Sequence, residues 1–222
     1  MNDETEAADE NGSEVEEDAE QQPLILLVED DPALRLILKN VLETKGYCVL
    51  EAQSRATAEP VIKANPGIAV VILDLGLPPS AHTTIEGLGI IRALSDDLFP
   101  GKIVVLTGQD EESSALAAIR EGAFDFLSKP SKADDILKAV QRALLFYEKE
   151  QALASEGLTR LQFNARVSDG LKAVREEAEE KLVKQVLKDT GFNVYQSAAR
   201  LGLKRESIYY FLKKFGIKRD DS

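Results

Sequence analysis

The stretch Val70–Pro79 reads VVILDLGLPP. Four apolar residues run up to one carboxylate, Asp74, and the chain then turns through Gly76 and two prolines. An apolar run without polar alternation is buried on both faces, which is the habit of a strand inside a parallel sheet. A charge at the end of such a strand is either a helix cap or a reaction centre. The residues around it decide between the two.

Four further runs of the same kind flank this one: LILLV at 24–28, YCVLE at 47–51, KIVVL at 102–106 and FDFLS at 124–128, with the central run beginning at Ile68. Amphipathic stretches of helical length lie between them. The first opens on Asp31-Pro32 as N-cap and first helical residue and closes at Gly46. The others cover about 54–64, 85–95, 111–121 and 132–149. Strand and helix in alternation define an α/β fold, an open doubly wound sheet of five parallel strands. Ligand sites in such sheets lie beyond the carboxyl ends of the strands.

The polar residues at those ends are Glu29, Asp30 and Asp31 after the first strand, Asp74 after the third, Thr107 after the fourth and Lys129-Pro130 after the fifth. Each alone has an ordinary explanation, since acids favour helix N-termini and a single Thr or Lys is commonly a cap or a solvated charge. Together at one sheet edge they form a phosphoryl-handling set. Clustered carboxylates repel unless a cation joins them, and Mg²⁺ suits a few carboxylates plus phosphate oxygens. A hydroxyl and an ammonium alongside stabilise transferring charge.

Division of the net charge of −12 exposes a second module. Residues 1–22 hold ten acids and no base, and their composition predicts a disordered acidic tail. Residues 171–222 carry twelve bases against eight acids, and within 191–219 seven bases face the single acid Glu206. The segment EEKLVKQVLKDTGFNVYQSAARLGLKRESIYYFLKKFGIK, at 179–218, reads as a helix, a break, and two short helices near 194–201 and 205–215. That is a helix-turn-helix. Leu171, Val174, Leu182, Val186 and Leu187 are expected on one face of its first helix, with Ala198, Ala199, Leu201 and Leu203 packing the turn and Ile208 and Leu212 anchoring the last helix. The basic surface points to DNA.

No apolar run approaches the ~18–20 residues of a membrane span, and no signal-peptide pattern opens the chain, so a cytoplasmic protein without membrane association is expected. Cys48 is the only cysteine; it excludes an internal disulfide and is expected as a small buried residue. Three expected segments follow the 1–22 tail: a sheet domain at 23–145, a linker at 146–170 and the helix-turn-helix at 171–222.

LLVEDDPALR, VVILDLGLPP, VVLTG and GAFDFLSKP together resemble the receiver domain of bacterial two-component response regulators, a CheY-like, flavodoxin-like fold, over about 23–145. The resemblance implies that Asp74 is the phosphoacceptor for a sensor histidine kinase or phosphotransfer protein. It implies Mg²⁺ held by Glu29, Asp30, Asp74 and the carbonyl of Gly76. Thr107 then hydrogen-bonds the phosphoryl group, Lys129 ion-pairs with it, and Phe126 is the aromatic switch that turns inward when Thr107 moves. Lys129-Pro130 is expected to be cis. The C-terminal segment resembles the Fis-type helix-turn-helix of nitrogen-regulation-type activators, with the preceding helix pairing two subunits into a homodimer. Lys204, Arg205, Ser207, Tyr209, Tyr210, Lys213 and Lys214 are its DNA-binding candidates, joined at the phosphates by Lys218 and Arg219. Arg205 and Ser207 are aimed at base edges, and a tyrosine at a thymine methyl.

Three departures qualify the resemblance. Receivers typically follow D-x-x-x-P-x-x-D-G, whereas Gly87 here lies thirteen positions after Asp74, across a loop PSAHTTIE that holds the only histidine, His82. His82 is read as an exposed loop residue or as a tuner of kinase access and dephosphorylation. Activators of the second family often carry an ATPase between the two domains, but no G-x-x-x-x-G-K-[ST] pattern occurs. Their recognition helix has Arg and Lys at its centre, where this chain has Ile208-Tyr209-Tyr210-Phe211-Leu212. Two alternatives to a DNA-binding regulator follow. One is a partner-binding regulator with a degenerate DNA module. The other is a metal-dependent phosphatase, which needs a second acid two residues after the nucleophile, where Gly76 stands. The chain is therefore read as a regulator rather than an enzyme.

Overall fold

The β-branched and leucine runs form five parallel strands: β1 (Leu24–Val28), β2 (Cys48–Ala52), β3 (Ile68–Leu73), β4 (Lys102–Thr107) and β5 (Asp125–Ser128). The protein is seen in a computed structural model that describes residues 22–108, 111–160 and 170–218. The acidic tail and Arg219 lie outside the described residues, Gln22 of the tail excepted. The sheet order is β2-β1-β3-β4-β5, so the direction of winding reverses between β1 and β3. Every residue of β3 is buried, as a central strand covered on both faces must be.

Five helices cover the faces: α1 (Pro32–Glu43), α2 (Arg55–Ala64), α3 (Ile85–Asp96), α4 (Glu111–Glu121) and α5 (Ala133–Ser155). Alternate residues of each strand go to opposite sides. Ile25, Leu27, Val70, Ile72, Val104 and Leu106 pack with Leu38 and Leu42 of α1 and Ile136, Val140 and Leu144 of α5. Leu26, Val28, Val71, Leu73, Ile103 and Val105 pack with Ala58 of α2, Ile90, Ile91 and Leu94 of α3 and Ala118 of α4. Each fully buried Leu or Ile contributes about 1.5–3 kcal/mol against its exposed state, which anchors the strands that carry the polar residues at their ends.

Two expectations are corrected here. Cys48 is exposed, because β2 is the edge strand and its first residue lies at an open corner. The helix expected over about 132–149 is longer, since α5 continues to Ser155. The Phe146 ring meets Phe124 at 5.1 Å, Tyr147 packs on the core, and Glu150 pairs with Lys102 of β4. The last helix therefore stays bound to the sheet domain beyond residue 145. Of the segment expected as a linker, 161–169 lies outside the described residues.

The C-terminal module consists of α6 (Gly170–Asp189), α7 (Val194–Leu201) and α8 (Arg205–Lys214). Asn193 caps α7 by accepting from the Tyr195 and Gln196 N–H groups, both at 3.1 Å. Gly202 ends it in the left-handed conformation, φ 65°, where a Cβ would be strained. Val183, Leu187, Ala198 and Ile208 are buried, with Leu201, Phe211 and Leu212 packed against them. Ala199 and Leu203, expected in the turn, are exposed. Their place inside is taken by Ser197, fully buried, whose hydroxyl lies 2.7 Å from that of Thr190 and donates to the Asn193 carbonyl at 2.9 Å. The single apolar face expected for α6 is in fact two stripes. Val183, Val186 and Leu187 are buried, whereas Leu171 and Leu182 are exposed.

Candidate functional site

Backbone hydrogen bonds carry the sheet one step past its regular strands and bring the polar residues into line. The Asp74 N–H donates to the Val28 carbonyl (2.9 Å), that of Glu29 to Ala52 (3.1 Å) and that of Lys129 to Thr107 (2.9 Å). Glu29 and Asp30 leave β1 and Asp74 leaves β3, so the acids stand at the reversal of strand order, where an open α/β sheet has its natural crevice.

Oxygens of Glu29, Asp30 and Asp74 lie within 4.8 Å of one another. Glu29 is 2% exposed and Asp74 8%, which makes their charges costly unless compensated. Lys129 supplies the compensation: its Nζ donates to Glu29 Oε2 at 2.6 Å and to Asp74 Oδ2 at 2.7 Å. The other Asp74 oxygen, Oδ1, accepts from the Gly76 N–H at 3.2 Å, so the turn after β3 closes back on the carboxylate. Burial raises the Glu29 pKa above its ordinary value, with Lys129 working in the opposite direction. At Lys129 burial works against the charge, but the hydrogen bonds to Asp74 and Glu29 outweigh it and hold the ammonium pKa above the usual range. Three carboxylates and one ammonium leave two negative charges, and a divalent oxygen-seeking cation matches both that charge and the donor type.

The remaining residues fall into place around this centre. Thr107 is fully buried at the end of β4. Phe126, on β5, is half-buried against the core beneath α3 and α4. Asp31 is outside the acidic cluster: its carboxylate caps α1 by accepting from Ala33 (2.8 Å) and Leu34 (3.1 Å), and those bonds lower its pKa. Lys129-Pro130 is cis, and so is Pro78-Pro79, which the sequence did not suggest. His82 is exposed. Arg35 was missed altogether. Its Nη1 donates to the carbonyls of Glu29 (2.7 Å) and Asp30 (3.4 Å), and its Nε meets Glu51 at 3.3 Å. The available signal was an arginine one helical turn into the helix that follows the acids.

On the C-terminal module Lys204, Arg205, Tyr209, Tyr210 and Lys213 are exposed and Ser207 is half-buried. Lys214 is exposed too, 3.6 Å from Glu176 and 3.5 Å from Glu179 of α6 and 4.8 Å over the Phe215 ring.

A five-stranded doubly wound sheet with an acid-and-lysine cluster at its switch point is the architecture of a phosphoacceptor domain. The model of the response regulator receiver domain matches residues 25–141, and that of the bacterial regulatory protein Fis family matches residues 174–215. The chain belongs to the response regulator receiver family and carries a Fis-family helix-turn-helix at its C-terminal side. The C4-dicarboxylate transport transcriptional regulatory protein DctD of Rhizobium meliloti is 28% identical over 203 residues, 89% of this chain and 41% of that protein. The photosynthetic apparatus regulatory protein RegA of Rhodovulum sulfidophilum is 32% identical over 128 residues, 58% of this chain and 67% of that protein. The signal receiver domain of a Luxo repressor protein from Vibrio parahaemolyticus superposes with a TM-score of 0.55 at 26% identity, covering 60% of this chain and 98% of that one. The chain spans only a quarter of the length of a second DctD, from Pseudomonas aeruginosa. The segment between the two matched regions, 142–173, has no room for an ATPase module.

Proposed function

We propose that this chain is the response regulator of a two-component phosphorelay, which accepts a phosphoryl group on Asp74 and controls transcription through DNA binding by its Fis-type module. The observation that carries the reading is the buried Asp74 carboxylate, held between the Lys129 ammonium and the Gly76 N–H with Glu29 and Asp30 alongside. The donor is a phosphohistidine of a sensor kinase or phosphotransfer protein. An Asp74 oxygen forms the new O–P bond as the N–P bond of the phosphohistidine breaks, and the imidazole leaves with the electron pair. Lys129, hydrogen-bonded to Asp74 at 2.7 Å, is close enough to pair with the phosphoryl oxygens.

Mg²⁺ fits this site through Glu29, Asp30, Asp74 and the Gly76 carbonyl; when bound it neutralises charge on the phosphoryl oxygens. Thr107, buried at the neighbouring strand end, is the hydroxyl that reports the new group, and Phe126 on β5 follows its movement. In this reading the protein is a cytoplasmic regulator rather than an enzyme. Among the described residues no helix is long and apolar enough to cross a membrane. Lys204, Arg205 and Lys213 take phosphates, and Ser207 lies nearest the base edges. Exposed Leu171 and Leu182 and half-buried Val174 and Ala178 form an outward stripe of α6 at spacings suited to a second helix, so a second copy of the chain covers it.

The test is incubation with Mg²⁺ and acetyl phosphate, followed by mass measurement. The wild type gains one acid-stable, hydroxylamine-labile phosphoryl group and Asp74→Asn gains none. Equal labelling of the variant overturns the assignment.

A further inference from the structure

The centre of α8 holds no group capable of the bidentate hydrogen bonds by which proteins read guanine or adenine. Ile208 is buried, and Phe211 and Leu212 face the module core. Cations remain at the two ends: Lys204 and Arg205 at the first turn, Lys213 at the last, with Lys214 held by Glu176 and Glu179. Between them the outward face presents two tyrosine rings, Tyr209 at 62% and Tyr210 at 60% exposure. The two rings are neighbours and so form one aromatic patch between the cations, whereas Tyr195, 72% exposed, stands on α7.

Tyr210 is moreover braced from inside. Its ring meets Phe211 edge-on at 5.4 Å, and Phe211 in turn stacks on Phe215 at 5.7 Å with the planes 11° apart. A ring fixed by the core loses little freedom on binding and presents a rigid apolar face. The positive ends of α8 hold the helix against phosphates and so bring this face to the floor of a major groove. The one apolar group displayed there is the C5-methyl of thymine.

From this geometry, and resting on the DNA-binding reading above, we propose that α8 recognises T·A pairs by contact of Tyr210, assisted by Tyr209, with thymine methyl groups, so the ligand is duplex DNA with thymine at a fixed place in each half-site. Arg205 and Lys213 then supply affinity without sequence preference, and the tyrosines supply the preference.

The experiment selects binding sequences for the full chain from a randomised duplex pool at fixed salt, then replaces each enriched thymine by deoxyuridine, which lacks only the methyl. One position per half-site is expected to weaken binding about fourfold on replacement, the effect of one buried methyl. Tyr210→Ala should lose a similar factor on thymine DNA and become indifferent to deoxyuridine, while Tyr210→Phe should bind as the wild type does. Unchanged melting of the variants, whose altered side chain is on the surface, separates contact from folding. Indifference of the wild type to deoxyuridine at every position overturns the proposal, as does a Tyr210→Ala variant that remains sensitive to it. Retention of the whole pool without enrichment also overturns it but leaves DNA binding intact. If no duplex is retained even at low salt, the DNA-binding reading itself fails.

Discussion

Removal of the Lys129 ammonium is the most searching perturbation of the site, because two buried carboxylates depend on it. In Lys129→Met the aliphatic stem is retained and the charge is lost. Glu29, with 2% of its side chain exposed, and Asp74, with 10%, then face each other without a counter-ion. Breaking one partner of a buried ion pair costs about 3–5 kcal/mol. Lys129 is itself 21% exposed, so water replaces part of the lost solvation and about 2–3 kcal/mol is the expected loss. For a domain of this size that corresponds to a fall in melting temperature of about 8–12 °C. The assay is thermal unfolding in chelator-containing buffer near neutral pH, repeated at lower pH and with excess Mg²⁺. The Glu29 pKa is raised in the folded protein, first by burial, so protonation of this group favours folding. Its contribution is fully present below the unfolded value of about 4.5 and fades as pH rises through the folded value. Without Lys129 the folded value rises further, and the gap between variant and wild type must narrow as pH falls. Mg²⁺ should stabilise the variant more than the wild type, since it meets more uncompensated charge there. A variant that melts within about 2 °C of the wild type at neutral pH, below the effect of even 1 kcal/mol, refutes the reasoning.

Two glycines of α3 offer a paired test of what the backbone near Asp74 tolerates. A Cβ at Gly87 would fall 2.4 Å from the Leu75 Cα and 3.0 Å from the Asp74 carbonyl oxygen; Gly87→Ala should cost about 2–3 kcal/mol in urea unfolding and slow labelling by acetyl phosphate. A Cβ at Gly89 meets only the far end of the Arg55 side chain, so Gly89→Ala should be neutral or stabilising by up to ~1 kcal/mol from helix propensity. Glu51 accepts from Lys39 at 2.5 Å, and that bond, ahead of opposing burial, lowers its pKa. Its contribution is present above about pH 4.5 and is lost as pH falls through the lowered folded value, so Glu51→Gln should flatten the acid limb of the stability curve, read as melting temperature against pH. Leu182→Glu places a charge on the exposed stripe of α6 and should shift sedimentation towards a monomer while leaving labelling of Asp74 unchanged.

The central strands were legible because their information is local. LILLV and IAVVIL are continuous apolar runs, and the structure gives β1 and β3 the same limits. The site was legible for a different reason. Glu29 and Lys129 are 100 residues apart in the chain, yet a topological rule, that parallel strands share one carboxyl edge, is enough to bring them together. The rule gives proximity but not partnership, and so it missed Arg35, which reaches back from α1 to the backbone carbonyls of Glu29 and Asp30. Asp31 could be told from Glu29 and Asp30 because Pro32 follows it, and an acid before a proline marks a helix N-cap, as the structure has it.

The errors concentrate where a residue's environment is set by a distant element. Cys48 looks apolar among Tyr47, Val49 and Leu50, but strand order makes β2 an edge. A further case is the end of α5. The helical pattern is read only to about 149, because Glu148, Lys149 and Glu150 look solvated in sequence. Glu150 nevertheless pairs with Lys102, 48 residues away and mostly buried at the start of β4, while Phe146 closes over Phe124 just before β5. The extra turns of α5 are thus fastened to the strands that lead into Thr107 and Phe126, the residues proposed to sense the phosphoryl group. A change at β4 and β5 therefore meets α5 along a packed and charge-paired length rather than at a frayed end.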